Sequence, residues 1–221
     1  APACEGVDVS FNNTGSSGSQ WNYSWDFGSG SKPTTSSAQH PSGITYSSAG
    51  TKTVTQTITG DNGYCSATST QNISILSRPD AGISSTAPAC TGEDVSFSNT
   101  GSSGGIYNYS WDFGGGATPA TSTLEDPGGI TYGTSGTKSV RLIIGNSNTG
   151  CQDTAWMSIT IHQTPNTGFT STAPVCEGAD VDFTNTGSSG GQWTYSWDFG
   201  NGSSPSTSTA EDPSGINYNS S

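Results

Sequence analysis

The chain has 221 residues, of which 31 are glycine and 11 are proline, and only 10% of its residues are charged. This turn-rich composition is poor in strong helix formers and favours an all-β protein. The 17 acidic and 5 basic residues give a formal charge of -12, so we expect no binding to nucleic acid and no attraction to an anionic membrane. No apolar run approaches the length of a membrane span, so we expect no membrane insertion of this segment.

The sequence repeats itself with a period of 86 residues and aligns without a gap. The positions that coincide include Cys4 with Cys90 and Cys176, Trp25 with Trp111 and Trp197, and Cys65 with Cys151. A repeat of this length is a small domain, longer than one turn of a solenoid. We predict three domains: 1–78, without its first strand; 79–164, complete; and 165–221, which stops before its last hairpin.

An interrupted domain at each end indicates a segment of a longer repeat array, because a sandwich without its last strands leaves core and sheet edges unpaired. The alternative is that a neighbouring molecule supplies the missing strands.

In chain order, the complete repeat begins with a predicted strand at 81–86, entered through the short linker 77–80. Alternating segments then follow, separated by turn residues every eight to twelve positions, as in a β-sandwich of about seven strands. The positions that we expect to face inward are Val95, Phe97, Tyr107, Tyr109, Trp111, Phe113, Val140, Leu142, Ile144, Met157, Ile159 and Ile161. The last two segments predict a long hairpin with the loop NSNTG. The first repeat has Gln56 and Gln71 where the second has Leu142 and Met157, and we expect these glutamines to be paired or to reach the surface.

The motif YSWDFG occurs once in each repeat. Alternation places its tyrosine and its tryptophan in the core, which gives the predicted structural residues Tyr23, Trp25, Tyr109, Trp111, Tyr195 and Trp197. The aspartate between the aromatic residues should face outward and accept backbone N–H bonds in the following Gly-x-Gly turn.

Five cysteines occupy two positions of the repeat. Pairing within repeats predicts the disulfides Cys4–Cys65 and Cys90–Cys151, and leaves Cys176 with a partner beyond the end of the chain. Each closed loop would stabilise its domain by about 4 kcal/mol in the chain-entropy description. Free buried thiols are the weaker alternative, and a zinc site is weaker still because the chain has no Cys-x-x-Cys. Stable disulfides indicate an oxidising compartment.

We predict no catalytic residues and no enzyme activity, because neither histidine recurs between repeats: His40 aligns with Asp126 and His162 with Leu76. We also predict no metal or cofactor. Calcium is considered at Glu125–Asp126 and Glu211–Asp212, but these sites lack the clustered oxygen ligands of a calcium loop, and we interpret them as solvated turns.

YSWDFG followed by a residue and glycine, then a proline, Ile-Thr-Tyr and Gly-Thr-Lys before an apolar strand, resembles the PKD (polycystic kidney disease) domain family. The resemblance extends over the whole chain and implies immunoglobulin-like sandwiches, with the tryptophan beside a disulfide in the core. The placement of the cysteines is similar to PKD-like repeats of very large bacterial surface proteins of the Bacteroidetes type.

The resemblance implies a non-enzymatic, extracellular structural or adhesive protein that forms a rod or filament on a microbial cell surface, in adhesion, motility or matrix. The alternative is an accessory module of a secreted hydrolase that binds substrate or carbohydrate. Expected partners are neighbouring copies of the repeat or protein, surface glycans, or host and matrix proteins. Thr154, within Asp-Thr-Ala, and the sequon residues Asn22 and Asn108 are candidate glycosylation sites.

Overall fold

The computed structural model describes residues 2–61 and 63–218, and within these ranges it contains strands, turns and irregular segments but no helix. The chain divides into two compact units, Ala1–His162 and Gln163–Ser221. The first unit contains two separate hydrophobic clusters, one in each of the first two repeats. The prediction of tandem all-β domains is therefore confirmed.

The first repeat has seven strands in its described residues: β1 (Ala3–Cys4), β2 (Trp21–Asp26), β3 (Ser31–Lys32), β4 (Thr35–Ser36), β5 (Thr45–Tyr46), β6 (Gly50–Gly60) and β7 (Ser66–Leu76). Five of them form a sheet in the order β1-β7-β6-β2-β4, and β3 pairs with β5. Strand β1 runs parallel to the end of β7, with Cys4 beside Leu76.

The second repeat has nine strands: β8 (Ile83–Ser85), β9 (Ala89–Cys90), β10 (Phe97–Asn99), β11 (Tyr107–Asp112), β12 (Ala117–Thr118), β13 (Thr121–Ser122), β14 (Thr131–Tyr132), β15 (Gly136–Asn146) and β16 (Gln152–His162). Its large sheet has the order β13-β11-β15-β16-β9, and the pairs β8–β10 and β12–β14 cover the other face of the core. Strand β9 runs parallel to the end of β16, with Cys90 beside His162.

The long hairpin β15–β16 is the largest element of the second repeat, and it follows the predicted alternation. The inward residues Val140, Leu142 and Ile144 are fully buried, whereas Trp156 on the opposite face of the sheet is 64% exposed. Two-residue periodicity produces this result because successive side chains of a strand point to opposite faces. The hairpin thus presents one apolar face to the core and one face to solvent.

The second unit has seven described strands: β17 (Phe169–Ser171), β18 (Asp180–Val181), β19 (Phe183–Asn185), β20 (Trp197–Asp198), β21 (Ser203–Ser204), β22 (Thr207–Ser208) and β23 (Ile216–Tyr218). Strand β20 is four residues shorter than its counterpart β11. Strand β11 pairs along its whole length with β15, whereas β20 pairs only with β22 among the described residues. A hollow of about 660 Å³ lies beside Trp197 and Phe199 as a consequence.

Candidate functional site: the junction of the first two repeats

One disulfide joins the first repeat to the second. The structure bonds Cys4 to Cys151 across a sequence separation of 147 residues, with their Cα atoms 5.7 Å apart. Cys65, Cys90 and Cys176 carry free thiols. The predicted pairs Cys4–Cys65 and Cys90–Cys151 are therefore wrong, although the prediction of a disulfide at these two repeat positions is correct.

Strand length explains why the cysteines of one repeat do not bond to each other. Cys4 lies beside Leu76 at the end of β7, whereas Cys65 immediately precedes the first residue of that strand. Eleven residue steps along an extended strand separate the two positions by about 35 Å, and a disulfide needs Cα atoms within about 7 Å of each other.

The same arrangement recurs in the second repeat. Cys90 lies beside His162 at the end of β16, and Cys151 precedes the start of that strand. The two cysteines of each repeat therefore lie at opposite ends of the domain.

Polar contacts surround the disulfide and connect three segments of the chain. The Arg78 guanidinium donates from Nε to the Gln152 carbonyl oxygen at 3.0 Å and forms an ion pair with the Asp153 carboxylate. The Glu5 carboxylate accepts from the backbone N–H groups of Arg78, at 3.1 Å, and Ala49, at 2.5 Å. The linker is thus held by both repeats.

The Asp153 carboxylate is the centre of this polar group. Its Oδ2 accepts from the backbone N–H of Ala81 at 2.9 Å, while its Oδ1 accepts from Arg78. Partial burial by itself raises the pKa of Asp153, but the N–H groups of Ala81 and Thr154 and the charge of Arg78 together lower it below the ordinary value. Asp153 is consequently ionised at neutral pH, and it ties the linker to the hairpin of the second repeat.

Sequence reasoning did not identify Glu5, Arg78 and Asp153 as a set. One signal was available, since Arg78 is one of only five basic residues and lies in the predicted linker. The proximity of Asp153 depends on where the β15–β16 turn meets the first repeat, which a periodic pattern does not contain.

The tryptophan and phenylalanine of YSWDFG lie in the cores of the first two repeats, as predicted, whereas Trp197 of the third repeat is only half-buried. Trp25 and Trp111 are buried, and Trp111 packs at 5.9 Å from both Phe97 and Phe113. The expectation of a neighbouring disulfide is wrong, because the disulfide lies at the junction. Each indole N–H instead donates to a backbone carbonyl 13 residues further along the chain; the acceptors for Trp25, Trp111 and Trp197 are Ala38, Leu124 and Ala210.

The tyrosines of the motif, Tyr23, Tyr109 and Tyr195, are half-buried at the edge of these cores. Their hydroxyl groups donate to the carbonyls of the NTGSSG loops, from Tyr23 to Ser16 at 3.2 Å and from Tyr195 to Ser188 at 3.2 Å. They therefore anchor a loop as well as filling the core.

A second set of tyrosines, which sequence reasoning did not single out, is more deeply buried. Tyr46 and Tyr132 are each 1% exposed, and their hydroxyls donate to the carbonyls of Phe27, at 3.0 Å, and Phe113, at 2.9 Å. Burial raises the pKa of Tyr132 to about 12 and also raises that of Tyr46. These bonds connect β5 to the residue that follows β2 in the first repeat, and β14 to the residue that follows β11 in the second.

The carboxylates considered for calcium or for catalysis hold backbone turns. Asp26, Asp112 and Asp198 each accept from the glycine N–H two residues later, at 2.8 to 3.0 Å, as predicted. Asp126 and Asp212 accept from the backbone N–H groups of Asn99 and Asn185. Within residues 2–61 and 63–218, no three His, Cys, Asp or Glu side chains gather as a metal site.

The candidate glycosylation residues lie on the outer faces of the sheets. Asn22, Asn108 and Thr154 are all exposed. Trp156 lies on the same outer face as Thr154, with the Arg141 guanidinium 5.5 Å from its ring centre. Modification of these residues stays a prediction.

The sequence model of one family, described as the PKD domain, matches residues 1–75 and again residues 76–161. The chain belongs to the PKD domain family. The two matches follow one another directly, so these residues form two tandem PKD domains, and the resemblance noted in the sequence is confirmed. PKD domains are typically modules without catalytic activity, and together with the disulfide they indicate an extracellular module. No curated protein matches the chain.

Solved structures similar to this PKD chain are only distantly related to it. A putative membrane anchored protein from Corynebacterium diphtheriae is 13% identical with a TM-score of 0.35; the match covers 84% of this chain and 61% of that one. Fibronectin(III)-like modules of Clostridium thermocellum CbhA are 12% identical with a TM-score of 0.30, over 73% of this chain and 89% of theirs. The amphioxus IgVJ-C2 molecule is 11% identical with a TM-score of 0.29, over 72% and 99%. This chain thus spans about three fifths of the Corynebacterium structure. In the described part of the chain, no helix has the length and apolar character needed to span a membrane.

Proposed function

We propose that this chain is part of a non-enzymatic, extracellular structural protein in which PKD domains, with boundaries at 1–78, 79–164 and 165–221, form a rod or filament on a microbial cell surface. The observation that carries the proposal is the covalent bond between successive domains. A disulfide at the junction restricts how the first two domains move relative to each other. Such a restriction favours an extended structural protein, because a flexible linker would let neighbouring domains fold back on each other.

The positions of the remaining cysteines support the same proposal. Cys90 lies at the end of the second domain, where Cys4 lies in the first. In an array with a further complete repeat, its partner would be the cysteine 147 residues onward, the spacing between Cys4 and Cys151. The two thiols would transfer two electrons and two protons to an external disulfide in an oxidising compartment. Each junction of the array would then carry one covalent bond.

Small-angle scattering of the oxidised chain tests whether it is extended. A compact protein of this length has a radius of gyration of about 17 Å. We expect a clearly larger value for the oxidised chain, the same value for the Cys65→Ser control, and an altered scattering profile for Cys4→Ser. A radius near 17 Å for the oxidised chain would contradict the rod.

Electron microscopy of the native surface material tests the filament itself. We expect thin linear structures with a regular spacing of domains along their length. Dispersed globular particles would argue against a filament. Partners in this proposal are neighbouring copies of the repeat, surface glycans, or host and matrix proteins.

One observation favours the second candidate function, an accessory carbohydrate-binding module of a secreted hydrolase. The Trp156 ring is 64% exposed on the outer face of the sheet, beside Arg141, which also contacts the Asp112 carboxylate at 3.4 Å. An exposed indole with polar neighbours can stack on a sugar ring.

A pull-down with insoluble polysaccharides tests this candidate. The bound fraction should fall severalfold in Trp156→Ala and stay unchanged in Thr70→Ala, the aligned position of the first repeat. No binding by the unmodified chain to cellulose, chitin or peptidoglycan would remove the support for this candidate.

A further inference from the structure

We propose that the Cys4–Cys151 disulfide is a mechanical bypass that carries tension along the chain past the cores of both PKD domains. The proposal concerns how the chain bears load, and it goes beyond the structural role proposed above. Its basis is the covalent connectivity of the first unit together with the geometry of β16.

The disulfide closes a loop that contains almost all of the first two repeats. Residues 5–150 lie within the loop, including every buried residue of the first core and most of those of the second. When the chain is pulled at its ends, the shortest covalent path passes from Cys4 through the two sulfur atoms to Cys151. The force therefore does not act across the loop.

Beyond Cys151 the load enters a segment that is already extended. Strand β16 starts at the next residue and continues to His162, where the chain proceeds to the second unit. A strand rises about 3.3 Å per residue, close to the limit of a fully extended chain. Tension along β16 is thus carried by its backbone and lengthens the segment little.

Polar contacts lie at the junction, where the load passes from the first repeat to the second. Arg78 bonds to Gln152 and Asp153 immediately after Cys151, and Glu5 bonds to the Arg78 backbone immediately after Cys4. These contacts hold the two cysteines in register at the junction. They resist small loads, and the covalent bond resists large ones.

Without the bypass, the load path would pass through both domains in series. The ladders that hold the exit strands, β1–β7 and β6–β7 in the first repeat and β9–β16 and β15–β16 in the second, would then have to resist the force through hydrogen bonds, and unfolding would release the whole loop. About 150 residues at roughly 3.4 Å each correspond to an additional extension of about 500 Å. The disulfide prevents this additional extension.

Single-molecule pulling of the full chain, held at its first and last residues, tests the proposal. The oxidised chain should extend about 500 Å less than the same chain after reduction. Cys4→Ser should reach the longer extension without a reductant, and Cys65→Ser, the matched control, should behave as the unmodified oxidised chain. The second unit, which the bond does not enclose, provides the same unfolding event in every trace.

Two results would overturn the proposal. Equal extension of oxidised and reduced chains would show that no bond shields the domains. If Cys65→Ser released about 200 Å, the bond would instead close a loop within the first repeat. Peptide mapping of the alkylated, oxidised chain gives an independent answer, with a cross-linked peptide of Cys4 and Cys151 expected. A rod-shaped chain that fails the pulling test would retain its structural role and lose only the bypass.

Discussion

The first and second repeats share their signature residues and their sheet order, yet their cores differ in size. Among the described residues the second core contains eleven buried hydrophobic residues and the first contains six. Two of the larger residues of the second core, Leu142 and Met157, are replaced in the first repeat by Gln56 and Gln71. Gln56 is half-buried and donates to Asn13 at 3.1 Å, and Gln71 is exposed, so the expectation that these glutamines would be paired or reach the surface is confirmed.

The two repeats also differ in whether a neighbouring strand covers a phenylalanine at the edge of the core. Phe97 in the second repeat is 1% exposed, and β8 pairs directly with its strand, β10. Its counterpart Phe11 is only half-buried, and no described strand occupies the place of β8 beside it. The comparison shows that the signature motif defines the fold, whereas the packing around it sets how much apolar surface is removed from water.

The largest expected effect comes from making the second core resemble the first. Leu142→Gln places a polar amide at a fully buried position, where Asn99, the counterpart of Asn13, would accept at most one of its hydrogen bonds, and we expect it to lower the free energy of unfolding by about 3–5 kcal/mol. Urea unfolding followed by hydrogen exchange, resolved by repeat, measures the change. The reverse change in the first repeat, Gln56→Leu, should alter stability by less than about 1 kcal/mol, because it exchanges one hydrogen bond for some apolar burial. Equal effects of the two substitutions on the free energy of unfolding would contradict the conclusion that the two cores differ in packing.

The next effect concerns the turn after the signature aspartate, where both repeats should behave alike. Gly114 has a φ of 79°, and a Cβ atom there would lie 2.6 Å from the Ser139 carbonyl oxygen. We expect Gly114→Ala to cost on the order of 3 kcal/mol. Gly28, with Thr53 at 2.7 Å, should respond in the same way.

Gly200 provides the matched control for this turn. Its φ is 77°, but no heavy atom lies within 4 Å of a Cβ built there. The alanine variant should therefore show only the backbone cost of about 1 kcal/mol. Thermal unfolding compares the three variants, and an equal loss at all three positions would contradict the steric explanation.

A smaller loss is expected at the buried tyrosines. Tyr132→Phe removes the donor to the Phe113 carbonyl and leaves that oxygen unpaired, which should cost about 1–3 kcal/mol. Tyr46→Phe should cost a similar amount in the first repeat, despite its smaller core. Because burial raises the pKa of Tyr132 to about 12, the stability that it contributes is complete below about pH 10 and is lost as the pH rises toward 12. Unfolding at several alkaline pH values measures this loss, which should be absent from Tyr132→Phe.

The smallest effect concerns the polar contacts of the junction. Arg78 and Asp153 are partly exposed, at 43% and 20%, so we expect Asp153→Asn to cost less than about 1 kcal/mol. The pKa of Asp153 is lowered in the folded chain, so its contribution is present above about pH 4 and is lost as the pH falls below that value. Hydrogen exchange of the Ala81 amide at pH 7 and pH 3 measures the change. Equal protection at both pH values would show that the carboxylate does not hold the linker.

Much of the fold could be predicted from the sequence because local chemistry controls it. Period-two alternation identified Leu142 and Ile159 as core residues, and both are buried. The internal repeat allowed every assignment to be checked against a second copy. The aspartate before the Gly-x-Gly turn was also predictable, since it bonds to an amide only two residues away.

The pairing of the cysteines could not be predicted from the sequence. Equal spacing of cysteines in each repeat suggested pairs within repeats, but strands β7 and β16 hold the cysteines of one repeat about 35 Å apart. The partner of Cys4 depends on which end of the second domain meets the first.

The sequence by itself therefore determined an all-β chain of tandem PKD domains, the residues of their cores and the presence of a disulfide. These properties follow from periodicity and from interactions between residues close in the chain. Only the tertiary structure decided that Cys4 bonds to Cys151, that Arg78 meets Asp153, and that Tyr132 reaches the Phe113 carbonyl. Each of these contacts joins residues distant in sequence, and their distance in space is set by strand length, sheet order and the way one domain abuts the next.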